Sequence, residues 1–226
     1  MGRRPSLEVR DLWAGDRDAP AVRGVSLAVH AGSVVVVLGG PGAGKSRLLR
    51  CVGLDFAPLS GSILLHGVDI AGVSPDRRRR LRTDAIELVQ PPAAPDQDDP
   101  TVPPPAGGVV LGPARRATVP VAGMRQRIQI AKVLTRRTDV LLLDEPLLGV
   151  EHHVCDRILD LVRRLRATGD TAVLVASRDP EVARLVADEV VVLQAGAVVE
   201  QGPADEVLSH PSDPHTAAML DARRSA

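Results

Sequence analysis

The chain has 226 residues, 28 Lys or Arg against 28 Asp or Glu, and only two aromatic side chains, Trp13 and Phe56. That length suits one large domain with a sizeable apolar core. Balanced charge and the near absence of stacking rings argue against a nucleic-acid partner. Cys51 and Cys155 lack metal or redox spacing and are expected to be buried, reduced thiols. No apolar run approaches the roughly 18 residues of a membrane helix. Arg3-Arg4 leads into polar sequence where a signal peptide needs an apolar core, so a cytoplasmic chain is expected. The opening Met1-Gly2 also fits the short myristoylation pattern, which carries little weight.

Residues 7–12 and 24–29 alternate as strands. Val34–Leu38 is an apolar strand that runs into Gly39-Gly40-Pro41-Gly42-Ala43-Gly44-Lys45-Ser46-Arg47, and a helical pattern of Leu48, Leu49 and Val52 follows. The spacing G-x-x-x-x-G-K-S between strand and helix is that of a phosphate-binding loop. Glycine lets the backbone curl with its N–H groups inward around an anion. The helix points its positive end at that anion, Lys45 adds a point charge, and Ser46 offers a hydroxyl to Mg²⁺.

A short strand at 61–66 precedes a helix that starts at Ser74-Pro75-Asp76, with proline in its first turn. Its Arg77–Arg80 and Arg82 read as a solvated face rather than a phosphate-contacting patch, because no aromatic residue interleaves them and Asp76 and Asp84 flank them. Residues 85–89 form a strand ending at Gln90. From Pro91 to Pro120 there are nine prolines in thirty residues, and no helical period survives. Proline removes a backbone donor, so this stretch is expected to be a loose surface excursion. A helical pattern returns over 124–134.

Asp139–Asp144 is an apolar strand closed by acids, and its continuous apolarity suits a central parallel strand covered on both faces. A helix over 152–167, a strand over 172–176 and a helix over 180–186 follow. A hairpin then pairs 189–193 with 197–200, and helical pieces at 204–209 and 216–223 close the chain. An acid at the end of a buried strand, beside a phosphate loop, has a chemical task. Asp144 would hold Mg²⁺, and Glu145 would orient or deprotonate the water that attacks a γ-phosphate. Gln90, at another strand end, is a candidate ligand to the metal or the water.

Taken in order, Gly39–Ser46, Gln90, Gly123–Arg127, Asp144-Glu145-Pro146 and Gly196–Gly202 resemble an ABC-type ATPase over nearly the whole chain. The arginine stretch at 74–83, with 127–131 and Gly149-Val150-Glu151, is most similar to the ATP-binding protein of the phosphonate carbon–phosphorus lyase system. The tail His210–Thr216 resembles the ending of oligopeptide and nickel importer ATPases. The resemblance implies one α/β phosphate-loop domain over 1–226, with a parallel central sheet flanked by helices, an antiparallel β-subdomain and a reduced helical subdomain at 91–120. It implies ATP and Mg²⁺ as ligands, nucleotide contacts at Gly39–Arg47 and Asp144, metal contacts at Ser46, Gln90 and Asp144, and catalytic roles for Glu145, Gln90 and Arg178. It further implies a homo- or heterodimer, with phosphonate lyase subunits as partners in preference to a membrane permease at the inner face of the membrane. A third reading is a module that binds nucleotide to assemble with partners and turns over little.

The departures from the family carry information too. Its Leu-Ser-Gly-Gly signature, which clamps the γ-phosphate across the dimer, corresponds to Pro120-Val121-Ala122-Gly123. Valine cannot donate serine's hydrogen bond, and Ala122 adds a methyl where backbone must approach phosphate. The switch histidine corresponds to Arg178, which cannot act as a neutral imidazole. Glu151 replaces an aspartate, and only Trp13, from a different position, can substitute for the adenine-stacking aromatic near Asp16. In a dimer every composite site would then be impaired. One lost contact to developing charge costs about 10²–10³ in rate, so restoring the three groups together (Arg178→His, Val121→Ser, Ala122→Gly) is expected to raise steady-state ATP turnover at least about tenfold.

Overall fold

The computed structural model describes residues 4–90, 138–148 and 152–224. The proline-rich stretch 91–120, the Pro120–Gly123 signature positions, the helix expected over 124–134, Glu151 and the Met1-Gly2 pattern lie outside them.

Strands β1 (Leu7–Gly15), β2 (Pro20–Val29), β4 (Ser60–Leu65) and β5 (Val68–Asp69) form an antiparallel sheet in the order β2-β1-β4-β5. The second sheet has six strands in the order β10-β9-β3-β8-β7-β6. They are β3 (Val34–Leu38), β6 (Ile86–Val89), β7 (Val140–Asp144), β8 (Ala172–Ser177), β9 (Glu189–Gln194) and β10 (Ala197–Pro203). Pairing from β6 through β9 is parallel, and β10 folds back antiparallel on β9. The fold is α/β with a parallel-rich central sheet and a separate antiparallel sheet, as expected. The short β5 and the extension of β1 through Trp13 were not anticipated from the residues.

Every residue of β3, β7 and β8 is buried. Their apolar runs are continuous because each face of the sheet has its own cover. On one side Val35, Val37, Leu142, Leu174, Val191 and Leu193 pack with the antiparallel sheet and helix α1 (Lys45–Val52). On the other, Val34, Val36, Leu141, Leu143, Val173 and Val175 pack with helices α3 (His152–Thr168), α4 (Pro180–Val186), α5 (Ala204–Ser209) and α6 (Pro214–Arg224). Adjacent positions on one strand go to opposite layers, as the two-residue period of a strand requires.

Polar pins fix the register. The Asp188 carboxylate accepts the Val34 N–H at 2.8 Å and pairs with Arg166 of α3, tying the start of β3 to the turn before β9. The tail motif serves to seat α6. Glu200 of β10 accepts the Ser212 N–H at 2.7 Å, and Asp213 caps α6 by accepting the His215 N–H at 2.8 Å. Helix α2 (Pro75–Asp84) is capped by Ser74 and buries none of its residues, so its arginines form a solvated face. Cys51 is buried and its thiol is pushed up to about 12 by desolvation, whereas Cys155 is only half-buried, contrary to expectation.

Leu142 is fully buried in the middle of β7 between β6 and β8. Leu142→Ala is expected to lower stability by about 2–5 kcal/mol, read as a drop in the urea midpoint with an unchanged slope.

Candidate functional site

Because β3, β8 and β7 are adjacent and parallel, their C-terminal ends reach the same edge, with Leu38 beside Ser177 and Ala176 beside Asp144. The segments that follow are therefore neighbours: the glycine loop after β3, Arg178 after β8, and Glu145 after β7. Such an edge is where ligands of open α/β sheets bind.

The loop is built around this chain's own backbone as much as around an anion. Gly44, at the N-terminus of α1, has φ 99°, and a Cβ there would lie 2.3 Å from the Ala21 carbonyl oxygen of β2. At Gly39 (φ 158°) a Cβ would lie 2.5 Å from the Leu193 carbonyl oxygen of β9. Two flanking strands thus clamp the loop at both ends, and only glycine lets them come this close. At Gly40 and Gly42 a Cβ would meet nothing within 4 Å, so that part of the loop lies open.

Lys45 is 5% exposed, and its ammonium donates to the carbonyls of Gly39 at 2.7 Å and Gly40 at 3.1 Å. The same ammonium lies 3.5 Å from Glu145 Oε1. Ser46 Oγ donates to Asp144 Oδ1 at 3.0 Å. Burial holds the Lys45 ammonium below its ordinary pKa, against the opposing pull of Glu145. Burial likewise raises the Asp144 carboxyl above its ordinary value, although the Ser46 hydroxyl offsets part of this. Both shifts disfavour the charged form of a group taken out of water.

Glu145 sits at φ 43° in the left-handed region, a strained setting for a residue that precedes proline. Its N–H donates to the Ala176 carbonyl at 2.9 Å. Its carboxylate takes Arg178 Nε at 3.2 Å on Oε1 and the Arg178 backbone N–H at 3.2 Å on Oε2. A cleft of about 680 Å³ opens here, lined by Gly40 and Pro41 of the glycine loop, by Glu145, Ser177 and Arg178, and by Met219 and Ala222 of α6.

The structure therefore brings together Gly39, Gly40, Lys45, Ser46, Asp144, Glu145 and Arg178. Gln90 is placed elsewhere: its amide donates to Asp55 Oδ2 at 3.4 Å, on a carboxylate that also takes Arg50 at 3.2 Å and Arg82 at 2.9 Å. The Arg47 guanidinium lies over the Phe56 ring at 5.1 Å to its centroid. Trp13 is 36% exposed on β1 and donates its indole N–H to Asp11 at 3.3 Å. Asp55, Ala21 and the α6 wall escaped the sequence reading. Asp55 lies in an irregular turn with no periodicity, and the other two become neighbours of the loop only through the sheets.

Asp144 and Ser46 present hard oxygen donors at a single point, which suits Mg²⁺. Among the described residues no cluster of three or more His, Cys, Asp or Glu could hold a metal. Two protein oxygens completed by phosphate oxygens and water is the arrangement Mg²⁺ commonly takes in nucleotide sites.

A model of the ABC transporter family matches residues 22–94. The di/tripeptide transport ATP-binding protein DppF of Pseudomonas aeruginosa is 32% identical over 94% of this chain and 74% of its own length. The octopine permease ATP-binding protein P of Rhizobium radiobacter is 30% identical over 92% of both chains. Among solved structures, a dimeric ATP-binding cassette in a post-hydrolysis state bound to ADP and phosphate superposes with a TM-score of 0.68 over 88% of this chain and 98% of its own, at 19% identity.

Asp144 carries its charge at a stability cost that falls away in acid. Its folded-state pKa lies above the ordinary 3.8, so the folded form binds the proton more tightly and the cost is fully present only above the folded value. Asp144→Asn is thus expected to raise the melting temperature of the nucleotide-free protein at neutral pH. The gain should shrink as pH falls toward 3.8, which scanning calorimetry across pH can follow.

Proposed function

The chain belongs to the ABC transporter family of ATP-hydrolysing subunits, and on that premise we propose that it is the ATP-binding subunit of an importer of small organic solutes, of the oligopeptide type. The peptide and octopine permease relatives support this reading. The phosphonate-lyase assignment rests on the arginine stretch of α2 and on residues 127–131 and 149–151, and the relatives favour the importer over it.

The observation that carries the proposal is the convergence at the sheet edge: Ser46 on Asp144 at 3.0 Å and Lys45 within 3.5 Å of Glu145. In this reading the loop N–H groups of 39–46 and Lys45 hold the phosphates of ATP. Ser46 and Asp144 hold Mg²⁺, which would neutralise phosphate charge when bound. Glu145 accepts the hydrogen bond of the attacking water, and Arg178 supplies fixed positive charge toward the terminal phosphate. Gln90 joins the metal only after leaving Asp55. A second cassette completes each site, contributing Val121 and Ala122 where it is another copy of this chain, and the absent serine donor makes hydrolysis slow. Permease partners place the subunit at the cytoplasmic face of a membrane. The described residues include no helix long and apolar enough to cross one.

Steady-state turnover at high protein concentration, beside Glu145→Gln, tests the enzymatic half. Turnover above background, falling by about 10²-fold or more in the variant while nucleotide is still bound, is the expected result. Binding without turnover in either protein would favour the nucleotide-dependent assembly module instead. Affinity purification tests the other half: membrane permease subunits are expected to copurify, and recovery of soluble lyase subunits alone would overturn the importer reading.

A further inference from the structure

Three charged side chains, Lys45, Glu145 and Arg178, meet beside the cleft. The Glu145 side chain is only 13% exposed, yet it sits between the Lys45 ammonium at 3.5 Å and the Arg178 guanidinium at 3.2 Å. Both cations touch the same oxygen, Oε1, while Oε2 takes the Arg178 N–H at 3.2 Å. Both oxygens of this carboxylate already face cationic or N–H donors. It is also an anion bound in a site whose remaining parts, the open glycine loop and the N-terminus of α1, suit a larger anion.

We propose that Lys45 and Arg178 hold Glu145 as an internal anion, and that the terminal phosphate of a nucleoside triphosphate releases it by competing for both cations. The inference rests on the ATP-binding reading above and adds a device to it: the base is set free only by the substrate that needs it. Arginine suits this role where histidine would not. A guanidinium cannot give up its charge as an imidazole can, so the cation side of the pair is permanent and open to exchange with another anion. A phosphate with several charged oxygens engages the planar fork more strongly than a shared carboxylate oxygen does. Because the Glu145 N–H stays on the Ala176 carbonyl at 2.9 Å, release requires a side-chain rotation alone and leaves the strained φ of 43° in place. A diphosphate can reach Lys45 through its terminal group but has none to compete for Arg178, so the Arg178–Glu145 contact stays closed.

The test compares Mg·ADP with Mg²⁺ and a non-hydrolysable ATP analogue, at protein concentrations where light scattering shows a monomer. Glu145→Gln removes the competing charge. It is expected to tighten the analogue about tenfold, the size of one partly desolvated ion pair, and to change ADP by less than about threefold. In an Arg178→Ala background that gain should fall below about threefold. In the unmutated chain, labelled with ¹⁵N-arginine, the Arg178 Nε–H resonance should move on adding the analogue and stay in place with ADP. Equal tightening of both nucleotides, a gain undiminished in Arg178→Ala, or an Arg178 resonance unmoved by saturating analogue would each overturn the latch while leaving ATP binding intact. Failure of both nucleotides to bind the unmutated chain would overturn the ATP reading and the latch with it.

Discussion

The parallel pairing of β3, β8 and β7 is the constraint from which the site follows. Parallel strands end at the same edge, and because these three are apolar on both faces, their register is held by ladder pairing and by polar pins such as Asp188 on the Val34 N–H. The register fixes Asp144 beside Ala176 and Leu38 beside Ser177. Ser46 and Asp144, 98 positions apart, thereby meet within hydrogen-bonding range, and none of the groups has to sit on a long mobile loop.

Electrostatics then decides how the edge behaves. Lys45 and Asp144 are both largely withdrawn from water, and burial pushes each toward neutrality. Glu145 and Arg178, somewhat more exposed, close the set as a second opposite pair. Two cations and two anions packed together tolerate burial because each has a partner, but the arrangement remains costly. An incoming polyphosphate with a divalent cation adds charges of both signs and offers every member a stronger partner. The clamp at Gly39 and Gly44 supplies rigidity, because the loop cannot widen without separating β2 and β9 from it.

The same geometry explains the outliers. Asp55 gathers Arg50, Arg82 and Gln90 on one carboxylate, so Gln90 is linked to α2 and to the end of the phosphate-loop helix rather than to Ser46 and Asp144. Helix α6, seated by Glu200 and Asp213, lines part of the cleft. The tail motif, which in the sequence only hinted at a subfamily, has a structural task here.

The sequence by itself determined the local pieces. The glycine spacing, the proline at the start of α2 and the strand-ending acids each declare their conformation through short-range sterics and hydrogen bonding, so the phosphate loop, Asp144 and Glu145 were legible in it. Helix α4 fell at 180–186 as its pattern predicts, because Asp179 and Pro180 define its start without outside help. What only the tertiary structure decided are the relations between distant segments. Ala21 and Leu193 press on the glycine loop, Gln90 turns to Asp55, Arg178 pairs with Glu145, and α6 walls the cleft. These depend on strand order and crossover, and a chain's local periodicity is the same whichever strands become neighbours. Charge pairing across 33 residues carries no local signal, because it is created by the sheet that brings the two ends together.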